Sequence, residues 1–335
     1  SLSNLSINDI NIYNILGRGS FGKVYLVEKK GSKQLYAMKV MSKRQVGSSK
    51  AIKGVLREKN LAASTEHPLI VKIHACFQDY TQLYMILDFC PGGELYKLVT
   101  SSSKGLKAES ARFYSACIIS SLAHMHSRYV VYRDLKPENI LIDAQGYCIM
   151  IDLGMAKVVV SKTYSVCGTA EYMAPEVISR KGYNTSADFW AFGCIVYELL
   201  SGKTPFISKG ISQMELFKRI VNRKFTYPFK FKNANFTSDA KDMIDGLLSV
   251  RTSTRLGCLA HRDDDIKKHA YFNNVNFDEL RTKKLKAPWI PNNMPDTSTL
   301  KPISPMQIMK SAASIKAMTE QKSDPWKDFG AYLDL

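Results

Sequence analysis

The stretch Tyr132-Arg133-Asp134-Leu135-Lys136-Pro137-Glu138-Asn139 sets a carboxylate, an ammonium and a carboxamide close together, and Asp152-Leu153-Gly154 adds a second carboxylate shortly after. Transfer of a phosphoryl group from ATP asks for such a set: a carboxylate to orient the attacking hydroxyl, oxygen ligands for Mg²⁺, and cations that spread the charge of the moving group. Asp134 suits the first role, which as base and positioner contributes about 10²–10⁴-fold. Asn139 and Asp152 offer hard oxygens for Mg²⁺, an ion that needs few protein ligands when phosphates share its shell. Lys136 is placed to contact the transferring phosphate. A lone Asp in a loop is ordinarily a helix cap or a solvated turn; Asp, Lys and Asn at this spacing, with a second Asp before Gly, are rarely that.

Gly17-Arg18-Gly19-Ser20-Phe21-Gly22 fits G-x-G-x-x-G, a weak signal alone. A dinucleotide fingerprint needs a helix opening at the third glycine and an acidic residue about 20 positions on. Here an alternating strand, Lys23 to Val27, follows, and the residue near that offset is Lys39. The dinucleotide reading fails on both counts. A strand–glycine turn–strand instead lays backbone amides over a triphosphate, because no Cβ intrudes. Lys39 can set an ammonium against those phosphates, with Glu58 on the next helix as its counter-charge. An incidental surface pair of this kind is worth only about 0–1 kcal/mol, so the glycine loop is what raises its significance.

The elements that must hold these groups are legible in outline. Residues 10–16 alternate apolar and polar, and strands follow at Lys23–Val27, Leu35–Val40, Ile73–Phe77 and Leu83–Leu87, with a helix over Ala51–Ala63. The rest reads as mostly helical. Ala187 to Leu200 is apolar nearly all round, which marks a buried helix. At 14 residues it is also too short to cross a bilayer. After Phe272, Pro288, Pro291, Pro295, Pro302 and Pro305 among polar residues indicate an extended tail over the surface.

Composition narrows the class. The 335 residues are 45% hydrophobic and 23% charged, ordinary for a packed soluble protein, with core enough for about two units. Forty-seven Lys and Arg against 30 Asp and Glu give +17, favouring anionic partners. Seven scattered cysteines form no C-x-x-C, so neither a zinc site nor a disulfide framework is supported, and a reducing, cytoplasmic setting is expected. No secretory signal or membrane span is read, no specific nucleic-acid site is expected, and the absence of an initiator Met raises the expectation of a segment cut from a longer chain.

The glycine loop, Ala37-Met38-Lys39, the catalytic-type loop, Asp152-Leu153-Gly154 and Ala174-Pro175-Glu176 together resemble the signature set of protein kinases. Lys136-Pro137-Glu138 resembles the serine/threonine class. Cys167-Gly168-Thr169, Asp188-Phe189-Trp190 and the proline-containing tail resemble the AGC group, in particular the catalytic regions of cyclic-nucleotide-dependent kinases. The resemblance implies an α+β, two-lobed fold: a small five-stranded antiparallel sheet with a helix, and a larger helical lobe. It implies an extension at 1–11, a small lobe at 12–87, a large lobe at 88–272 and a tail at 273–335.

Residue by residue, the resemblance implies that Asp134 accepts the proton, Lys136 and Lys39 contact phosphate, and Lys39–Glu58 marks the active state. Asn139 and Asp152 become metal ligands. The nucleotide site takes Leu16, Gly17, Arg18, Gly19, Ser20, Phe21, Gly22, Lys23 and Val24, then Ala37, Leu141 and Ile151 against adenine. Leu87 becomes the gatekeeper, and Asp88 and Cys90 offer hinge backbone groups. Asp188 would brace the catalytic loop and Glu176 would pair with Arg255. Glu94, Glu138 and Glu198 match positions that bind arginines ahead of the acceptor, so basic Ser/Thr substrates are expected. Ser165 takes the place of an activating phosphosite, its phosphate pairing with Arg133 and Lys157. A cyclic-nucleotide-binding domain or subunit is the implied regulator. Four departures stand out: Gly54 where relatives carry a histidine, Leu153 where phenylalanine is usual, Ala170 in place of proline, and Leu300 where the tail offers an aromatic to adenine. Trp326-Lys327-Asp328-Phe329 resembles the motif that docks on the small lobe. The competing reading is a nucleotide-binding pseudokinase or scaffold with little transfer activity.

Overall fold

The computed structural model describes residues 5–19, 21–228, 235–292, 294–308, 325–327 and 329–330. The chain divides into two compact units. One comprises Ser1–Glu66, Val71–Pro91 and Asn293–Leu335; the other comprises His67–Ile70 and Gly92–Asn292.

The first unit is an antiparallel sheet of β1 (Ile10–Gly19), β2 (Gly22–Lys29), β3 (Leu35–Ser42), β4 (Ile73–Gln78) and β5 (Gln82–Asp88), in the order β1-β2-β3-β5-β4, with helix α1 (Ser49–Ser64). The expected five-stranded sheet and helix are therefore present. The strands run longer than the alternation shows, and β1 continues into the glycine turn through two irregularities of register, before Ile15 and before Gly17. The Ser48 hydroxyl caps α1 by accepting from the Ala51 amide at 3.2 Å. Glu66 lies beyond the helix end, leaving Glu58 as its acidic residue.

Opposite residues of an antiparallel ladder share a face, and so do residues two apart on one strand. Pairing of Val24 with Lys39, Lys39 with Met85, and Ala37 with both Leu26 and Leu87 therefore puts Val24, Ala37, Lys39 and Leu87 on one face. The opposite face carries Tyr25, Val27, Met38, Val40 and Ile86, packed with Ile10 and Ile12. Ile308 of α10 (Pro305–Ile308) joins that cluster, and Ile303 bridges to Ile12 on the edge strand. The tail is thus a working part of this core. Further on, Phe329 and Trp326 are buried; Lys59 lies over the Phe329 ring at 5.4 Å, and Gln78 donates to the Trp326 carbonyl at 2.8 Å. The segment containing Asp328 and the linking residues 309–324 fall outside the described set.

The second unit is mainly helical. In chain order it holds β6 (Gly93–Glu94), α2 (Leu95–Thr100), α3 (Ala108–His126), β7 (Val130–Val131), β8 (Ile140–Ile142), β9 (Cys148–Met150) and β10 (Lys157–Val158), then α4 (Pro175–Ile178), α5 (Ser186–Ser201), α6 (Gln213–Val221), α7 (Ser238–Leu247), α8 (Asp263–Lys267) and α9 (Phe277–Arg281). α5 is buried from Ser186 to Leu200, as its all-round apolar pattern requires, and packs against α3 and α7. Gly202, at φ +77°, ends it by donating its amide to the Glu198 carbonyl at 2.7 Å. The short strands β6–β8–β9 and β7–β10 have too little alternation to be read from sequence. They fix the loops on either side of Asp134 and Asp152.

Candidate active site

Asp134 sits in the loop between β7 and β8, and its carboxylate is fully engaged. Oδ1 accepts from the Thr169 amide at 3.1 Å and hydroxyl at 2.9 Å; Oδ2 accepts from Asn139 Nδ2 at 3.0 Å and Lys136 Nζ at 3.1 Å. Lys136 also donates to the Thr169 hydroxyl at 3.0 Å. Asn139 reaches back to the Asp134 carbonyl at 2.9 Å, and its own carbonyl accepts from the Ile151 amide at 3.0 Å, one residue before Asp152. The side chains of Asp134 and Asn139 are thus joined directly, and the segment that leads into Asp152 is tied to Asn139 through the backbone. Thr169 was missed in the sequence. Its only signal there was its place in Cys167-Gly168-Thr169, because the contact spans 35 positions.

The loop is braced from α5. Asp188, 1% exposed, accepts from the Tyr132 amide at 2.8 Å, the Arg133 amide at 2.9 Å and His126 Nε2 at 2.9 Å. Those bonds hold Arg133 at φ +71°, a conformation uncommon outside glycine. Gly168, at φ +102°, is needed there, since a Cβ would stand 2.7 Å from the Arg133 carbonyl oxygen. Buried His126 also faces Asp263 at 3.0 Å. Burial opposes its charge, but the two carboxylates prevail and raise its pKa to about 9. Tyr132 donates to the Ile151 carbonyl; burial, then Asp152, Asp134 and Asp188, push its hydroxyl well above the usual range. Glu176 pairs with fully buried Arg255 at 2.6 and 2.9 Å, as the resemblance implied.

Asp152 is exposed, in a left-handed conformation at φ +58°, and its Oδ1 accepts from the Gly154 amide at 3.1 Å. Leu153 is 1% exposed, so the departure from phenylalanine still fills an apolar slot. Among the described residues no group of three or more His, Cys, Asp or Glu could hold a metal. The Asn139 and Asp152 oxygens alone fit an ion that takes most of its shell from phosphate and water.

In the first unit Lys39 Nζ meets both Glu58 oxygens, at 2.6 and 2.8 Å. Gly22 is required by the protein itself, because a Cβ there would lie 1.7 Å from the Val40 carbonyl oxygen. Gly17 and Gly19 have nothing within 4 Å of a built Cβ, so packing does not explain them. Leu16, Arg18 and Lys23 are exposed and Phe21 is half-buried; Ser20 lies outside the described residues. The Asp88 amide donates to the Lys72 carbonyl at 3.2 Å, its side chain engages the Lys72 amide and His74, and Cys90 is buried. Leu141 pairs with Glu94 and Ile149 in the β6–β8–β9 sheet, and Ile151 is half-buried just beyond it.

Glu198 is 3% exposed and accepts from the Tyr172 hydroxyl at 2.7 Å. Burial raises its pKa to about 7, with Glu138 and Glu171 adding to the rise against the Tyr172 bond. Glu138 carries a buried Oε2 with no hydrogen-bond partner. Glu171, which accepts from Thr204 at 2.6 Å, is a third member of this acidic group and escaped the sequence reading. Glu94 is half-buried on β6, a strand that packs by the turn carrying Glu138. Ser165 is exposed; the Tyr183 hydroxyl donates to its carbonyl at 2.7 Å, and Arg133 acts on Tyr183. Arg133 Nε donates to Met155 at 2.6 Å and Lys157 Nζ to Thr163 at 3.3 Å.

Comparison with known proteins agrees with this geometry. Residues 10–272 match the protein kinase domain. The chain is 37% identical to cAMP-dependent protein kinase type 3 of Saccharomyces cerevisiae, over 85% of its length and 70% of the relative's. It is 39% identical to serine/threonine-protein kinase sgk-1 of Caenorhabditis elegans, over 88% of its length and 63% of the relative's. A cAMP-dependent protein kinase catalytic subunit of Arthrobotrys oligospora is 37% identical, with 54% of its own length covered. No helix among the described residues is long and apolar enough to cross a membrane. The chain belongs to the protein kinase family, among relatives that are serine/threonine kinases of the AGC group.

Proposed function

We propose that this chain transfers the terminal phosphoryl group of ATP to serine or threonine hydroxyls in proteins that carry basic residues ahead of the acceptor. The observation that carries the reading is the Asp134 carboxylate, oriented by Asn139, Lys136 and Thr169 and braced through Asp188. In this role Asp134 accepts the hydroxyl proton as the oxygen attacks, and Lys136 and Lys39 balance charge on the phosphates. Asn139 and Asp152 would hold Mg²⁺, which when bound neutralises phosphate oxygens. Gly17 and Gly19, free of packing demands, suit backbone amides that approach phosphate. Val24, Ala37, Leu141 and Ile151 would cover adenine, with Leu87 at its edge and Asp88 and Cys90 offering backbone groups. The working division is a small lobe at 12–87, a large lobe at 88–272 and a tail from 273.

The acidic group supports the substrate preference. A guanidinium would satisfy the unpartnered Glu138 oxygen and neutralise the Glu198 carboxylate that burial penalises. A phosphate on Ser165 would recruit Arg133 and Lys157, tightening the segment that already carries Thr169 to Asp134. Two of the relatives named above are cAMP-dependent, and a cyclic-nucleotide-binding regulator is part of the proposal. The test is ATP turnover on an arginine-containing serine peptide, with Asp134→Asn as control. Turnover that is absent from purified protein, or equal in Asp134→Asn, would reject transfer and favour a nucleotide-binding scaffold.

A further inference from the structure

His126, the last residue of α3, meets a carboxylate at each ring nitrogen: Nε2 lies 2.9 Å from Asp188 of α5, and Nδ1 lies 3.0 Å from Asp263 of α8. The ring is 3% exposed and Asp263 13%, and the Phe189 ring stands edge-on to the imidazole at 5.0 Å. A carboxylate only accepts, so both contacts are met when each ring nitrogen carries a proton, as in the imidazolium. A neutral ring would leave one carboxylate facing a lone pair, with little water to relieve it. Helices α8 and α9 both pack on α3. Of their acids, Asp264, Asp265, Asp278 and Glu279 form no ion pair with the ring among the described residues, whereas Asp263 does. A favourable charge in the first turn of α8 would account for an acid there, and Asp264 and Asp265 already supply it. The helix dipole does not aim a side chain at a buried ring 137 positions away. The chain enters α8 through Arg262 at φ +51°, a conformation uncommon for a residue with a Cβ, so the turn that presents Asp263 is imposed by its surroundings.

We propose that Asp263 is a positioning residue for phosphoryl transfer, acting through His126 and Asp188 on the loop that carries Asp134. Asp263 holds the Nδ1 proton and with it the orientation of the ring. Nε2–H then fixes Asp188 Oδ2, which also takes the Tyr132 amide at 2.8 Å, while Oδ1 takes the Arg133 amide at 2.9 Å. Without Asp263, the Nδ1 proton has no acceptor in a nearly dry site, and the ring must turn or give the proton up. Either change re-aims the Asp188 carboxylate and the two loop amides beside Asp134. The inference rests on Asp134 as the proton acceptor, as proposed above.

The test compares Asp263→Ala and Asp263→Asn with the wild-type 335-residue chain, by kinetics on an arginine-containing serine peptide and by NMR of the His126 ring and the Arg133 amide. Alanine removes the acceptor; asparagine keeps a carbonyl for Nδ1–H. Asp263→Ala should lower kcat about 10-fold, less than a full 1 Å misplacement costs because Asp188 remains, with KM for peptide and ATP within about twofold. Asp263→Asn should recover most of that kcat. Both His126 ring nitrogens should be protonated in wild type at about pH 7.5, and the Arg133 amide signal should move in Asp263→Ala. A neutral wild-type ring overturns the proposal even if Asp263→Ala does not fold. So does an Asp263→Ala protein with kcat within twofold of wild type, with kcat and both KM values changed together, or with an unmoved Arg133 amide. A moved Arg133 amide in a chain whose wild type shows no turnover rejects the role given to Asp134 and leaves the link from Asp263 to the loop standing.

Discussion

Replacing Asp188 with Asn tests how α5 controls the catalytic loop. The carboxylate accepts three hydrogen bonds, from the Tyr132 amide, the Arg133 amide and His126, at 2.8–2.9 Å and almost without solvent. An asparagine keeps one acceptor oxygen. Its better orientation serves Tyr132 and His126 and turns an NH₂ group on the Arg133 amide, leaving a buried donor unpaired at a cost of about 1–3 kcal/mol. Loss of the charge facing His126 adds roughly 1 kcal/mol, for a destabilisation on the order of 2–4 kcal/mol. Arg133 then loses the bond that holds φ +71°, and Asp134 moves with it. A displacement near 1 Å is enough to cut kcat about 10²-fold. Stability should also change its pH profile. His126 rises from an ordinary 6.5 to about 9, so its contribution is full below pH 6.5 and lost as pH climbs through 9. At about 1.4 kcal/mol per pKa unit that contribution is roughly 3 kcal/mol. With only Asp263 left as a charged partner, the decline in Asp188→Asn should begin at lower pH. Urea denaturation from pH 6 to 10, with kcat on a basic peptide, reads both effects. A stability loss below about 0.5 kcal/mol together with kcat within twofold of wild type would refute the bracing argument.

Glu198 ionises near pH 7 because burial penalises its charge, so KM for an arginine-containing peptide should fall as pH rises from 6 to 8. Glu198→Gln should raise that KM about 10-fold or more and flatten the profile, while a peptide without arginine responds to neither change. Gly22→Ala forces a Cβ to 1.7 Å from Val40 and should lower the melting temperature through a loss above about 1 kcal/mol; Gly19→Ala meets no neighbour and should leave melting unchanged while altering KM for ATP. Equal melting of the two variants would contradict the division of roles between those glycines. Phe329→Ala removes a fully buried ring from the first unit, and a loss of about 3–5 kcal/mol in denaturant unfolding is expected. An unchanged midpoint would mean the terminal aromatics do not dock.

Much of the catalytic centre is visible in the chain because it is local. Asp134, Lys136 and Asn139 share one loop, and the alternation of β2, β3 and β5 already dictates which side chains join Lys39. The glycine turn was separable from a dinucleotide loop by the strand that follows it. Thr169 and Glu171 were not singled out, since nothing in their neighbours announces a bond to Asp134 or a place beside Glu198. The two-residue strands around the loops were equally silent, because a two-residue ladder has no periodicity to read.

Local order therefore determined the chemistry on offer: which loop bears the carboxylates, which strand bears the lysine, which helix is buried. Tertiary structure decided how those groups are held. Asp188 and Asp263 meet His126 across 62 and 137 positions, Arg255 finds Glu176 across 79, and the tail reaches Gln78 from 248 residues away. Partners so distant follow from packing in three dimensions, where a buried charge or amide must be matched by whatever the fold brings beside it.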